Sequence, residues 1–251
     1  MTSTPLIDPP TRTVWAIDVL ASTVSMACIT EPEDHSAAPR PKIGKVDLAL
    51  QGRSHTPYTQ WHRASIAADA VFAKLTVDGT IKPTLVVIAK QQWGTSSGGK
   101  KGGAAPDPTA QRRIALQSLI EERLHRAAIP VAEFPYPTAL VWMQGHGQHR
   151  GPLMTVLADR VSDTFGITAP REVVGGKERA VSFRPQVAAL AAIAAMAVGI
   201  ETSIPVTKDR LEITRGQGNQ AVQFPSTRRC PETVEDWQAL HKHPNRLKGD
   251  Q

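Results

Sequence analysis

Carboxylates at strand ends are the residues of this chain whose chemistry is easiest to interpret. Asp18 lies near the end of an apolar run, residues 14–19, that is rich in residues favouring β-strands. Mg²⁺ and Mn²⁺ prefer oxygen ligands, and two such ions about 3.5–4 Å apart can assist phosphodiester hydrolysis. One carboxylate cannot hold two ions, so the meaning of Asp18 depends on where further acids lie.

Three other acids are candidates for such a cluster. Glu133 lies in a second apolar run, whereas Asp159 and Asp163 are four residues apart in a predicted helix. That spacing places Asp159 and Asp163 on one helix face. A pair of this kind is more often part of a solvated surface than of a metal site, and the sequence leaves both interpretations open.

Basic and aromatic side chains occur in the predicted connections. Residues 91–108 nearly match a phosphate-binding loop, but their lysines are followed by glycine and not by Ser or Thr at a helix start. We therefore expect either a basic loop on a phosphate backbone or a solvated linker. The residues predicted to bind nucleic acid are Lys90, Trp93, Lys100, Lys101, Arg112, Arg113, His146, His149 and Arg150. Trp142 is also predicted in a substrate-facing loop, and Trp61 in the core.

The overall charge favours a polyanionic partner. The chain has 29 lysine and arginine residues against 23 acids, a formal net charge of +6, and such proteins frequently bind nucleic acid. Cys28 and Cys230 form neither a disulfide framework nor a zinc motif. The start of the chain lacks a signal-peptide pattern, and the most apolar segment, residues 187–200, is too short to span a bilayer. We expect a cytoplasmic protein without a membrane partner.

The elements that position these side chains follow from the hydrophobic pattern. Strands are predicted over residues 14–18, 23–30, 43–53, 84–89 and 129–134. Helices are predicted over residues 58–75, 110–124, 152–165 and 186–198, the second of them capped by Thr109. This order predicts an α/β fold with a mixed five-stranded sheet, in which three antiparallel strands are followed by parallel ones.

The remaining segments set the predicted domain organisation. Residues 135–150 and 169–184 are predicted to be irregular, and residues 211–214 and 221–224 to form a short hairpin. We predict a flexible arm over residues 1–12, one domain over residues 13–200, and a basic, proline-rich extension over residues 201–251.

This order, with particular residues, resembles the RuvC-type Holliday junction resolvases of the RNase H-like superfamily. Ala16-Ile17-Asp18 resembles the first strand with its catalytic Asp, and residues 82–88 resemble the strand that ends in the catalytic Glu. Residues 187–194 resemble the last helix, where the family carries its final acids. The resemblance spans residues 13–200. It implies an RNase H-like fold, Mg²⁺- or Mn²⁺-dependent endonuclease activity, branched DNA as partner and a homodimer.

The chain departs from the family's pattern where the other acids are expected. The resemblance places the catalytic Glu at Ala89, the final Asp at Ala188, and a companion acid near Arg184 or Pro185. Alanine supplies no ligand, and Lys90 or Arg184 would repel a divalent cation while attracting phosphate. Of the usual four carboxylates, Asp18 alone is present.

Three interpretations fit these departures. The chain is a degenerate pseudoenzyme that binds DNA without cleaving it and needs no metal, or Glu133, Asp159 and Asp163 supply the missing ligands, or Ala89 and Ala188 are engineered replacements. A function of another class is a non-catalytic structural or protein-interaction module on the same scaffold. Salt-dependent binding of branched DNA separates this last possibility from the others.

Overall fold

The computed structural model describes residues 11–32, 38–48, 56–90, 109–146, 148–174, 176–180, 183–216, 222–226 and 228–242. Its strands are β1 (Thr13–Val19), β2 (Thr23–Thr30), β3 (Lys42–Asp47), β4 (Leu85–Ala89), β5 (Val131–Phe134), β6 (Arg171–Val174) and β7 (Lys177–Ala180). Its helices are α1 (Pro57–Thr76), α2 (Ala110–Arg126), α3 (Tyr136–Gln144), α4 (Leu153–Phe165), α5 (Val187–Ala197), α6 (Lys208–Thr214) and α7 (Val234–Lys242).

The central sheet has the strand order β3-β2-β1-β4-β5. Strands β1, β2 and β3 are antiparallel neighbours, whereas β4 runs parallel to both β1 and β5. Helices α1 and α2 provide the long connections that parallel strands require. The predicted α/β architecture is therefore confirmed: three antiparallel strands followed by parallel ones form a mixed five-stranded sheet flanked by helices.

The two faces of the sheet bury different helices. Alternation along β1 places Ile17 and Val19 on the face covered by α1 and α2, and Ala16 on the face covered by α5. All eleven residues of α5 are buried, which explains why its sequence is apolar on every side. Asp18 follows Ala16 by two residues in the same strand, so its side chain also lies on the α5 face.

Several predicted irregular segments are in fact ordered elements, and those predictions were wrong. Residues 135–150 contain α3, which has a proline in its first turn and buries Ala139, Leu140 and Trp142. Residues 169–184 contain the β6–β7 hairpin. Residues 211–214 belong to α6, where Thr207 caps the helix by accepting a hydrogen bond from the Arg210 N–H. Local side-chain capping thus favours a helix over the predicted hairpin.

The environments of two tryptophans and the cap of one helix also differ from the predictions. Trp61 is 56% exposed on α1 and does not lie in the core. Trp142 is fully buried, and its Nε1 donates to the Thr214 hydroxyl at 3.1 Å, so it is not a substrate-facing loop residue. Thr109 precedes α2, but its side chain makes no capping hydrogen bond.

The two ends of the described chain meet at the end of α5. Arg12 pairs with Glu31, and its Nη1 donates to the carbonyls of Val198 at 2.6 Å and Leu240 at 3.3 Å. Gly199 adopts a φ of +77°, and a Cβ there would lie 2.7 Å from Leu240 Cγ, so this close approach requires glycine. The division of the chain at residues 12 and 200 stays a prediction. Within the described residues, no helix is long and apolar enough to cross a membrane.

Candidate functional site

Asp18 is fully buried and held by two donors from distant parts of the chain. The Tyr136 hydroxyl donates to its Oδ2 at 2.7 Å, and Nη1 of Arg184 donates to the same oxygen at 3.0 Å. The neighbouring strand helps to place Arg184, because Ser25, which pairs with Asp18 in the β1–β2 ladder, accepts the Arg184 backbone N–H at 3.0 Å. The carboxylate is thus neutralised by a cation from within the chain.

Tyr136 is fixed in its role as a donor. Burial raises the pKa of its phenol well above the ordinary value, and the negative charge of Asp18 raises the pKa further. The phenol therefore keeps its proton over the physiological pH range. Sequence reasoning missed Tyr136, although an aromatic hydroxyl directly after β5, at the carboxyl edge of the sheet, was a usable signal.

Apolar side chains lie beside Asp18 at positions where the resemblance to the resolvases places further acids. Ile88 aligns with Ile17 in the β1–β4 ladder, so Ala89 is the next residue along, beside Asp18. Ala89 and Ala188 are buried in the cluster on the α5 face, and Pro185 is buried just before that helix. These side chains exclude water but provide no ligand.

The alternative acids lie elsewhere. Glu133 pairs with Ile88 in the β4–β5 ladder, so it points to the sheet face opposite Asp18, where its Oε1 accepts from Gln117 Nε2 at 3.0 Å. Asp159 and Asp163 lie on the exposed side of α4, whose opposite side is buried. The structure therefore does not bring these three acids to Asp18.

The donor set does not fit Mg²⁺ or Mn²⁺. These ions take several oxygen ligands in a near-octahedral arrangement, whereas here a single carboxylate already accepts hydrogen bonds from a phenol and a guanidinium. Across the described residues, no group of three or more His, Cys, Asp or Glu side chains is placed to hold a metal ion. We derive no metal-dependent step for this site.

The residues predicted to bind nucleic acid fall into three groups. The first group is partly buried, at the end of β4 and the start of α2: Lys90, Arg112 and Arg113. The second group is exposed between α3 and α4: His146, His149 and Arg150. Trp93, Lys100 and Lys101 lie outside the described residues. Lys90 is anchored by its backbone N–H, which donates to the Phe134 carbonyl at 2.9 Å.

The sheet edge at Asp18 is also where helices begin. Strands β3, β4 and β5 end at this edge, because all three run in the direction of β1, and they lead into α1, α2 and α3. Helix α5 begins beside Asp18, next to Arg184. None of these four helices has an acid in its first turn, so no acid of their own offsets their N-terminal partial positive charges. The edge is electrostatically suited to phosphate.

The chain was compared with protein families, with curated protein sequences and with solved structures. No protein-family model and no curated protein sequence matches the chain. Among solved structures, Thermus thermophilus RuvC is similar with 11% identity and a TM-score of 0.49, over 84% of this chain and 99% of that one. T. thermophilus RuvC in complex with a Holliday junction substrate gives the same identity and score, over 85% and 99%. An exopolyphosphatase from Cytophaga hutchinsonii is 12% identical with a TM-score of 0.30, over 53% and 38%.

Proposed function

We propose that this chain binds DNA at the carboxyl edge of its central sheet, with a preference for branched DNA, and does not cleave it by a two-metal mechanism. The observation that carries the proposal is the pairing of buried Asp18 with Arg184 and Tyr136. This pairing puts an internal cation where a metal-dependent nuclease needs ligands. It therefore favours binding of a phosphate over activation of water.

Arg184 is the residue we expect to touch the backbone of the DNA. Its Nη1 is used by Asp18, and 39% of its side chain remains exposed. A guanidinium carries five N–H donors in a planar fork, so the donors that do not reach Asp18 can bind a phosphate oxygen. Asp18 and Ser25 then act as positioning residues that hold the guanidinium and its backbone at the edge.

The test is an affinity series for a four-way junction and a linear duplex of equal length. Binding is measured over a range of salt concentrations, in Mg²⁺ and in EDTA. We expect the logarithm of the affinity to fall linearly with the logarithm of the salt concentration, because each phosphate contact releases counterions. We expect EDTA to leave the affinity unchanged.

Two variants locate the interface. Lys90→Gln removes one charge at the proposed edge, and Arg126→Gln removes one charge at the end of α2 that points away from it. We expect the first variant to weaken binding and reduce the salt slope by about one, and the second to leave both unchanged. The hydrogen bonds of Asp18 to Tyr136 and Arg184 do not involve the Lys90 side chain, so the substitution leaves these two bonds intact.

The possible outcomes separate the competing functions. No binding of either DNA at low salt would remove this proposal and leave the structural or protein-interaction module. Metal-dependent cleavage that Asp18→Asn abolishes would overturn the non-cleaving site. The homodimer implied by the resemblance is measured on the same samples by analytical ultracentrifugation.

A further inference from the structure

The N-terminal turns of α1 and α2, residues 58–66 and 110–115, contain no buried residue. Burial along α1 begins at Ala67, and burial along α2 begins at Leu116. The two helices pack side by side, and Arg123 of α2 binds Asp69 at 2.6 Å and Ser65 at 2.9 Å on α1. The later turns cover the sheet, whereas residues 58–66 and 110–115 lie at the carboxyl edge and are exposed or only partly buried.

Aromatic side chains occupy the α1 part of this surface. Tyr58 is 74% exposed and Trp61 is 56% exposed. The ring of His62 stacks on that of Tyr58 with an interplanar angle of 3°. Spacings of three and four residues put Tyr58, Trp61 and His62 on one helix face. Large aromatic rings grouped in solvent usually indicate an interaction site.

The charge of the same surface has one sign. Residues 56–66 and 109–115 contain three arginines, Arg63, Arg112 and Arg113, and no acid. Acids appear only in the second halves of the helices, beginning with Asp69 on α1 and Glu121 on α2. The basic, aromatic part of the helix pair therefore lies toward the proposed DNA edge. The part that lies away from it has no net charge, because Asp69, Glu121 and Glu122 are balanced by Lys74, Arg123 and Arg126.

We propose that Tyr58 and Trp61 form a stacking surface for unpaired bases of the DNA bound at this edge. The inference rests on the proposed function and extends it from backbone binding to recognition of unpaired nucleotides. Exposed rings beside arginines are the combination that binds single-stranded nucleic acid, because rings stack on bases while the cations bind phosphates. A second copy of this chain is disfavoured, since a two-fold contact would place two basic patches against each other.

The experiment compares a fully paired duplex with the same duplex carrying a central unpaired patch of several nucleotides. Three proteins are measured: the full chain, the double variant Tyr58→Ala/Trp61→Ala, and the double variant Tyr58→Phe/Trp61→Phe, which keeps both rings. We expect the alanine variant to lose roughly 10- to 100-fold in affinity for the unpaired patch. We expect little change on the paired duplex, and near-complete retention of affinity by the phenylalanine variant.

Controls make the result specific to this surface. Ile81→Ala removes an exposed apolar side chain beyond the other end of α1 and is expected to change neither affinity. Equal losses on both DNAs, or no loss on either, would overturn the inference. Conversion of a dimer to a monomer by the alanine variant, seen by ultracentrifugation, would also overturn it in favour of a second copy.

Failure of the inference and failure of the proposed function give different results. If the full chain binds neither DNA, the proposed function fails and the stacking surface fails with it. If the full chain binds both DNAs with salt dependence, but the aromatic substitutions leave the preference for unpaired bases unchanged, only the stacking surface fails.

Discussion

Nη1 of Arg184 donates a hydrogen bond to Oδ2 of the buried Asp18 at 3.0 Å, across 166 positions of the chain. This contact determines the chemistry of the site. A buried carboxylate needs a compensating charge, and here the chain provides the charge itself. The sheet holds one buried carboxylate, and the neighbouring buried residues Ala89 and Ala188 offer no ligand to a metal.

Removing Arg184 should destabilise the fold. Arg184→Gln leaves the Asp18 carboxylate buried with Tyr136 as its remaining described side-chain donor, and we expect the free energy of unfolding to fall by about 2–3 kcal/mol. The loss is smaller than for a fully buried pair because the arginine is partly solvated. Urea denaturation measures this difference.

A double-mutant cycle assigns that loss to the pair. In an Asp18→Asn background the buried charge is gone, so Arg184→Gln should lower stability by about 1 kcal/mol or less. Arg126→Gln, at an exposed site, serves as the control. If Arg184→Gln has the same effect with Asp18 and with Asn at position 18, the two residues are not energetically coupled.

Stability should depend on pH through Glu121. Gln117 Nε2 donates to Glu121 at 2.7 Å and to Glu133 at 3.0 Å. Burial raises the pKa of Glu121, the Gln117 hydrogen bond lowers this pKa, and the charge of Glu133 raises it. The folded state thus binds the proton more tightly than the unfolded state. Stability should therefore fall as pH rises from the ordinary glutamate pKa, about 4.3, through the raised folded pKa.

Glu121→Gln should remove this part of the pH dependence. The variant keeps an oxygen acceptor for Gln117 but has no charge to lose, so its stability should change less between acid and neutral pH than that of the parent chain. Thermal unfolding across the pH range provides the measurement, with Glu235→Gln on the exposed side of α7 as the control. Parallel stability curves for the parent chain and the Glu121 variant would contradict the assignment.

Both cysteines should react slowly with alkylating reagents in the folded protein. Burial raises the pKa of the Cys28 thiol, and burial raises the pKa of Cys230 to about 12. Because the thiolate is the reactive form, labelling by iodoacetamide should be slow at pH 8 and become fast for both residues in denaturant. Mass spectrometry of each peptide gives the two rates. Fast native labelling of Cys230 would show that α7 opens frequently.

The sequence predicted elements whose signal is local and missed contacts that depend on distant partners. Helix α5 was predictable because a helix buried on all sides must be apolar throughout, and β1 because its apolar run is rich in β-formers. Helix α1 was also predicted correctly, from the helical spacing of its apolar residues. Periodicity cannot tell how far a helix extends beyond the sheet it covers, so Trp61 was placed in the core although it lies in solvent.

The candidate site was predictable in part for the same reason. Asp18 and the missing acids followed from the resemblance, and Arg184 was recognised as a cation near the site. Tyr136 lies 118 positions from Asp18. Its place directly after β5 indicates the same sheet edge, but only the folded chain shows that the two side chains meet. Alternation along the strands shows on which sheet face Glu133 lies, but only once its pairing with Ile88 in the β4–β5 ladder is known.

Removing residues 201–251 should prevent stable folding of the rest. Trp237 Nε1 donates to the Met196 carbonyl at 3.0 Å, and the predicted extension also contributes Leu211 to the cluster around α5. Truncation would leave apolar surface of α5 in contact with water, which costs about 25 cal/mol for each Å² exposed. We expect the fragment 1–200 to lose cooperative unfolding and bind a hydrophobic dye, whereas a chain ending at Lys242 keeps α7 and unfolds as the full chain does. A fragment 1–200 with the full chain's unfolding midpoint would instead support an independent domain ending at residue 200.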